Sequence, residues 1–155
     1  MEHEIAGLLK ERRLTIATAE SCTGGWIAGR IVNVPGISGQ FGEGYITYSN
    51  EAKEKLLGVS HETLKRYGAV SRQTAEEMAR GVQAAAGADL GLISTGIAGP
   101  DGGTKEKPVG LVYLACAYKD TVTTERHIFD GDRQTVRRAS VEAALSLALR
   151  VLKQQ

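Results

Sequence analysis

The chain contains 155 residues, which is enough to bury a hydrophobic core without disulfide or metal support, and a single domain over residues 1–155 is expected. Its 19 lysine and arginine residues balance 18 acidic residues, and only 5% of the chain is aromatic. This composition argues against a nucleic-acid-binding protein, since such proteins present basic stripes and aromatic stacking surfaces. No apolar run is long enough to span a bilayer, and the charged first residues do not form a signal peptide, so a cytoplasmic protein without a membrane partner is expected.

The pattern of apolar residues, capping residues and turn residues predicts alternating helices and strands followed by a hairpin. In chain order, we predict a helix over 2–13, a strand over 15–18, a helix over about 23–33, a strand over 44–48, a helix over 51–57 capped by Asn50, a short helix over 61–67, a helix from Ser71 to about 86, a strand over 90–94, paired strands over 109–118 and 121–129, and a helix from the cap Asp132 to about 152. This order predicts a three-layer α/β/α domain whose mixed β-sheet carries helices on both faces.

The cysteines and histidines indicate neither a disulfide framework nor a metal centre. Cys22 and Cys116 lie far apart in the sequence, and both are expected to remain reduced. His3, His61 and His127 are isolated, and none has a metal-ligand partner at a useful spacing. We therefore expect no metal and assign the histidines no role.

The junction between the first predicted strand and the following helix carries a candidate nucleophile. Ser21 stands at the end of the strand, and Thr23, Gly24 and Gly25 follow it. The N–H groups at the start of a helix have no partner within the helix, so they can bind an oxyanion or a phosphate. The alternative is that Ser21 and Thr23 only cap the helix. Cys22 is a rival nucleophile, but no histidine neighbours it in the sequence, and a buried small apolar role is expected for it.

The segment after the second predicted strand carries a candidate general base. A cap at Asn50 places Lys53 in the first turn of a helix, where the helix dipole disfavours a positive charge. With little solvent around it, such a lysine should have a pKa lowered from about 10.4 to about 8, and its neutral amine could accept the proton of Ser21. The alternative is a solvated lysine. Tyr48, at the end of the strand, either orients this amine or is a half-buried sheet tyrosine.

Two further segments are candidates for binding a phosphate. The loop over 95–103 fits neither a dinucleotide fingerprint nor a P-loop, but its many glycines leave free N–H groups that can form an anion nest. Its candidate binding residues are Thr95, Gly96, Gly99 and Gly102. Arg133 and Arg137 share one face of the last helix, and arginine forks suit a phosphate or a carboxylate. The alternatives are a plain wide turn and a solvated basic helix start.

Five stretches, in the same order along the chain, resemble the C-terminal domain of the CinA family. They are residues 19–25 (AESCTGG), 48–53 (YSNEAK), 68–71 (GAVS), 96–103 (GIAGPDGG) and 107–110 (KPVG). The similarity covers roughly residues 4 to 152. No counterpart of the pyrophosphatase-type domain of longer family members is found, so the chain looks like the stand-alone, PncC-type members, which are nicotinamide-nucleotide amidohydrolases.

The resemblance implies the CinA C-terminal fold and the hydrolysis of nicotinamide mononucleotide to nicotinic acid mononucleotide and ammonia, a step of pyridine nucleotide salvage. It implies a serine–lysine dyad, an acyl-enzyme, no cofactor and a small-molecule nucleotide as the binding partner. By motif, the serine is Ser21, the lysine is Lys53 and the supporting tyrosine is Tyr48, while Arg133 or Arg137 fills the position of the family arginine. Homo-oligomerisation is left open. The rival hypotheses are a non-catalytic nucleotide-sensing module and an amidase for another small amide.

Overall fold

A computed structural model describes residues 1–154 and contains a five-stranded mixed β-sheet with the strand order β2-β1-β3-β4-β5. The strands are β1 (Ile16–Glu20), β2 (Gly44–Ile46), β3 (Leu90–Gly96), β4 (Leu111–Tyr118) and β5 (Thr121–Ile128). Strand β1 pairs in parallel with both β2 and β3, whereas β4 runs antiparallel to β3 and β5 antiparallel to β4. The predicted α/β class and mixed sheet are confirmed.

Among residues 1–154, six α-helices cover the two faces of the sheet, and a short 3-10 helix lies at Ile37–Gly39. The α-helices are α1 (Glu2–Arg12), α2 (Trp26–Val32), α3 (Asn50–Leu57), α4 (His61–Tyr67), α5 (Arg72–Ala86) and α6 (Arg133–Lys153). Helices α1, α2 and α6 bury Ile5, Ile27 and Leu145 in one apolar cluster, and α3, α4 and α5 bury residues such as Met78 in a second cluster on the opposite face. Within residues 1–154, no helix is both long and apolar enough to cross a bilayer.

Strand β1 lies at the centre of this arrangement. Every one of its residues is buried, including Thr18 and Glu20, because helices cover both faces and a strand pairs with it on each side. A strand of this kind shows no alternation of apolar and polar residues. Its small side chains leave room for helix α5 on one side and for α2 on the other.

Several predicted bounds differ from the structure: β2 ends at Ile46 rather than at Tyr48, and two helices begin differently. Helix α2 begins at Trp26 rather than near residue 23, because Gly24 and Gly25 have φ values of 58° and 101° and so form a turn instead of a helix start. The N-cap of α3 is Ser49 and not Asn50, since the Ser49 hydroxyl accepts a hydrogen bond from the N–H of Ala52 at 3.0 Å. Both segments were placed correctly as elements, and only the start of each differs.

The chain connections open a crevice at the carboxyl ends of the parallel strands. The connection from β1 to β2 runs through α2 on one face, and the connection from β2 to β3 runs through α3, α4 and α5 on the other. The segment after β1 leads to β2 on one side, whereas the segment after the adjacent strand β3 leads to β4 on the other side. Open α/β sheets bind ligands between two such strands.

Candidate active site

Ser21 is the first residue after β1 and lies at the floor of this crevice. Its N–H donates to the carbonyl of Ser94 in the neighbouring strand β3 at 3.1 Å, so the sheet ladder fixes its backbone. Its side chain lines a cavity, yet the residue is only 8% exposed. The serine is therefore held rigidly at a point that a small ligand can reach.

The Lys53 amine reaches the hydroxyl of Ser21 from helix α3. Nζ lies 3.2 Å from Ser21 Oγ, 2.7 Å from the carbonyl oxygen of Thr47 and 3.3 Å from that of Tyr48. A neutral amine has two hydrogens and one lone pair. In the neutral form of Lys53, the two carbonyls can accept both hydrogens, which leaves the lone pair for the Ser21 hydroxyl, as a general base requires.

Burial changes the pKa of the Lys53 amine. Lys53 is 1% exposed, and its burial lowers its pKa to about 8, against a smaller opposing influence from Cys22. The sequence-based expectation of a lowered pKa is confirmed, but desolvation rather than the helix dipole is the main cause. The alternative of a solvated lysine is wrong. Lys55, two residues further along α3, is exposed.

Tyr48 contributes to the site at two different places. Its backbone carbonyl accepts from Lys53, whereas its phenol oxygen accepts from Arg133 Nη2 at 2.9 Å. The residue is 61% exposed, so it is not the half-buried sheet tyrosine of the alternative reading. Arg133 also donates to the carbonyl of Gly99 at 2.8 Å, and it thereby joins Tyr48 to the glycine-rich loop at the mouth of the cavity.

The cavity has a volume of about 180 Å³ and is formed by five separate segments of the chain. Its lining residues are Ser21, Cys22, Tyr48, Lys53, Ala69, Val70, Thr95, Gly96, Ala98 and Arg133. The Thr95 hydroxyl donates to the carbonyl of Ala69 at 2.8 Å and so ties the end of β3 to the loop before α5. Burial raises the pKa of the Cys22 thiol to about 11, which keeps it a neutral apolar wall. Of the candidate binding residues, Thr95, Gly96 and Arg133 line this cavity.

Gly99, another glycine of the predicted binding loop, serves the packing of that loop. Gly99 is buried with φ 83°, and a Cβ there would lie 2.5 Å from Val109 Cγ1, so the loop folds closely over Val109. Gly102 also has a positive φ, of 92°, but it lies further out and is exposed.

Glu20 lies beneath the turn that carries Ser21, and the sequence analysis did not single it out. Its buried carboxylate accepts hydrogen bonds from the Thr23 hydroxyl at 2.6 Å, from the N–H of Ile27 at 2.8 Å and from the N–H of Ala28 at 3.1 Å. The protein's own carboxylate therefore occupies the start of α2. Thr23 is fully buried by these contacts and by Ser94, whose hydroxyl oxygen lies 2.7 Å from its own. The sequence feature that could have indicated this role is an acidic residue at the end of a strand that otherwise holds apolar residues and one threonine.

Arg137 holds the same turn from the opposite side. Its Nε donates to the carbonyl of Cys22 at 2.9 Å and its Nη2 to that of Thr23 at 3.2 Å, while its guanidinium carbon lies 3.6 Å from the centre of the Trp26 ring. A Cβ at Gly24 would lie 3.1 Å from Arg137 Nη2, so the glycine lets the arginine approach the backbone. At Gly25 a Cβ would face the side chain of Ile46.

Comparison with known proteins places the chain in a family. Residues 1–152 match the CinA C-terminal domain. A putative competence-damage inducible protein of Clostridium novyi (strain NT) is 57% identical over 152 residues, and a CinA-like protein of Kosmotoga olearia is 52% identical over 152 residues. Each of these alignments covers 98% of this chain but 37% of the relative, so the chain spans little more than a third of their length.

Solved structures of similar proteins share the whole fold. A CinA superfamily protein from Klebsiella pneumoniae 700603 superimposes with a TM-score of 0.95 at 34% identity, over 99% of this chain and 96% of that one. A competence/damage inducible protein from Agrobacterium tumefaciens gives a TM-score of 0.89 at 42% identity, over 97% and 96% of the two chains. The chain therefore belongs to the CinA C-terminal domain family.

Proposed function

We propose that this chain is a serine amidase that hydrolyses the carboxamide of nicotinamide mononucleotide to give nicotinic acid mononucleotide and ammonia. The observation that carries the proposal is the pair formed by the Lys53 amine and the Ser21 hydroxyl, 3.2 Å apart at the floor of a cavity. Burial of Lys53 lowers the stability of the fold, so a structural role alone does not account for it. Groups with such a lowered pKa concentrate at active sites, where they transfer protons. The family resemblance supplies the substrate.

In the first half of the reaction, neutral Lys53 accepts the Ser21 proton while Oγ attacks the carboxamide carbon. The carbonyl oxygen becomes an oxyanion, for which each well-placed N–H donor contributes roughly 3–4 kcal/mol. The lysine now carries three hydrogens, and the carbonyls of Thr47 and Tyr48 accept two of them. The third is directed at the leaving nitrogen, which departs as ammonia and leaves an acyl-enzyme on Ser21.

In the second half, water enters where ammonia left. Lys53 accepts a proton from this water as its oxygen attacks the acyl carbon, and then returns the proton to Ser21 Oγ as the ester bond breaks. The sum is one amide and one water converted into one carboxylic acid and one ammonia, so no external reductant or oxidant is required.

The size of the cavity supports an end-on arrangement of the substrate. At about 180 Å³ it is smaller than the roughly 300–1,000 Å³ of pockets that enclose drug-sized ligands, so it suits the ring and its carboxamide but not the whole nucleotide. The ribose and phosphate would then lie at the mouth, where exposed Arg133 offers a cation. The positive pyridinium ring would also disfavour a protonated Lys53 and so favour the base form.

Substitution of Ser21 by alanine tests the proposal directly. We expect the wild-type protein to release ammonia from nicotinamide mononucleotide, and Ser21→Ala to lose at least roughly 10³-fold in kcat while it still binds the nucleotide. Ammonia release and isothermal titration measure the two properties. Mass spectrometry of a quenched wild-type reaction should show an acyl adduct on Ser21.

Two other outcomes would favour the rival functions. A wild-type protein that binds the nucleotide without turnover would support a nucleotide-sensing module of the competence-damage type. Equal turnover of nicotinamide, its riboside and its mononucleotide would point to a less selective amidase, because the phosphate would then contribute nothing to recognition.

A further inference from the structure

The start of helix α2 does not offer its N–H groups to an oxyanion, although it is the helix start nearest to the nucleophile. The N–H groups of Ile27 and Ala28 donate to the Glu20 carboxylate, and the Gly24 N–H donates to the carbonyl of Ser21 at 3.1 Å. A donor for the oxyanion that forms when Ser21 attacks is therefore to be sought on another wall of the cavity.

Strand β3 forms the wall beside Ser21, and its backbone groups point alternately toward β1 and toward β4. On the β1 side, the carbonyl of Ser94 accepts from the Ser21 N–H at 3.1 Å. On the β4 side, the Ile97 N–H donates to the carbonyl of Leu111 at 2.9 Å. By this alternation the N–H of Gly96, two residues after Ser94, points toward the β1 side.

Strand β1 has already ended at the level of Gly96, so this N–H meets no neighbouring strand. If the parallel ladder continued, its acceptor would be the carbonyl of Ser21, but that carbonyl accepts from Gly24 within the turn. Among residues 1–154, no protein oxygen accepts the Gly96 N–H. Gly96 lines the cavity together with Ser21 and is only half-buried, so its open donor borders the space available to a ligand.

We propose that the Gly96 N–H is a catalytic donor that binds the oxyanion formed by attack of Ser21, an inference that rests on the proposed function. Close packing on β4 fixes this donor. A Cβ at position 96 would lie 2.6 Å from Val112 Cγ2 and 2.9 Å from the carbonyl oxygen of Leu111, so a side chain would push the end of β3 away from β4. A donor that is in place before the reaction need not reorganise as negative charge develops, and such donors contribute most to catalysis.

Ala98 is the rival donor on the same wall. The carbonyl of Ile97 accepts from the Gly110 N–H at 2.8 Å on the β4 side, so the Ala98 N–H points the opposite way, as it must across a trans peptide. Ala98 also lines the cavity. It lies two residues beyond Gly96, however, which is about 7 Å further from the level of Ser21 in an extended chain. We therefore assign the donor to Gly96.

Nuclear magnetic resonance of a boronate adduct tests this donor without turnover. In 1-methylpyridinium-3-boronic acid, the boron accepts a lone pair of Ser21 Oγ while Lys53 takes the hydroxyl proton, so a tetrahedral boronate anion forms and no group leaves. We expect the Gly96 amide proton to move downfield by roughly 1 ppm in the adduct, as in a charge-assisted hydrogen bond. Its hydrogen exchange should slow roughly 10-fold or more.

Two controls accompany this measurement. Ser21→Ala should form no adduct and show neither change. Gly91 lies in the same strand and faces β4 in the ladder, so its amide should change in neither respect. A shift confined to the Ala98 amide, or an adduct in which the Gly96 amide stays in place, would overturn the inference. A boronate that does not add to Ser21 would contradict the nucleophile and the donor together.

A second experiment removes the N–H without adding a side chain. Glycolic acid placed at position 96 by nonsense suppression in cell-free translation replaces the amide by an ester. We expect kcat for nicotinamide mononucleotide to fall roughly 100- to 1,000-fold while KM changes little, because the contact is made in the transition state. The same replacement at Gly42, in the exposed segment before β2, should leave kcat unchanged. A folded protein with the ester at position 96 and a normal kcat would refute the role of Gly96.

The two experiments separate this inference from the proposed function. If the boronate adduct shows the shift at Gly96 but the wild type releases no ammonia from nicotinamide mononucleotide, the substrate assignment fails and the donor stands. If the wild type releases ammonia but the Gly96 amide does not respond to the boronate, the proposed function stands and the donor is refuted.

Discussion

At the scale of single residues, the buried Lys53 is the proposed general base, and its burial reduces the stability of the fold. Its pKa falls from the ordinary 10.5 to about 8 because folding removes it from water. This difference corresponds to about 3 kcal/mol of folding free energy that is lost at neutral pH. The carbonyls of Thr47 and Tyr48 limit the loss, and they also orient the amine.

The pH dependence of stability should reveal this lysine. Between pH 8 and pH 10.5 the unfolded chain keeps its proton on Lys53 while the folded chain has released it, so the stability of the wild type rises with pH in that window. We therefore compare the free energies of unfolding of the wild type and of Lys53→Met by urea denaturation. Between pH 7 and pH 10.5, the value for the wild type should rise relative to that for Lys53→Met by up to about 3 kcal/mol. Lys55→Met is the control, with a difference that stays flat. A pH-independent difference for Lys53→Met would show that the amine is not desolvated.

The same titration should govern turnover. Only the neutral amine can accept the Ser21 proton, so kcat/KM should rise with pH to a plateau, with a midpoint near the lysine pKa of about 8. Lys53→Arg keeps the positive charge but cannot act as a base, and its activity should fall below detection at every pH. Lys55→Arg should behave as the wild type. Substantial turnover by Lys53→Arg would remove the lysine from the mechanism.

At the scale of elements, the turn between β1 and α2 is fixed by two charged side chains from different parts of the chain. Glu20 holds it from beneath and Arg137 from outside, and both charged groups use their hydrogen bonds on the backbone or side chains of the turn. The position of Ser21 therefore depends on the last residue of a strand and on a helix more than a hundred residues later. Strand propensity and helix capping rules describe neither dependence.

Substitution of Glu20 tests the support beneath the turn. Glu20→Gln preserves the shape but places an amide NH₂ against groups that are themselves donors, the Thr23 hydroxyl and the N–H groups of α2. We expect a loss of roughly 1–3 kcal/mol in the free energy of unfolding, measured by chemical denaturation. Glu51→Gln, at an exposed position on α3, should change stability by less than about 0.5 kcal/mol. A Glu20→Gln protein as stable as the wild type would mean that the carboxylate does not hold the turn.

At the scale of the whole molecule, the strand order brings distant parts of the sequence to one edge of the sheet. The carboxyl ends of β1, β2 and β3 deliver Ser21, Tyr48 and Thr95, while α3 and α6 supply Lys53 and Arg133. Because the segment after β1 leads to β2 and the segment after β3 leads away from it to β4, the space above β1 and β3 stays open. The cavity is a product of this topology rather than of any one motif.

The sequence alone predicted the α/β class and the order of the helices and strands, because caps, glycines and apolar periodicity act over a few neighbouring residues. It also singled out Ser21 and Lys53 as candidates, and their catalytic role stays a prediction. It did not predict that Ser49 rather than Asn50 caps α3, since two adjacent polar residues can both serve as caps. Only the tertiary structure decided that Arg133 lines the cavity while Arg137 clamps the turn, and that Glu20 occupies the start of α2. It also decided that Lys53 is buried, because burial and the choice of hydrogen-bond partner depend on segments that packing alone brings together.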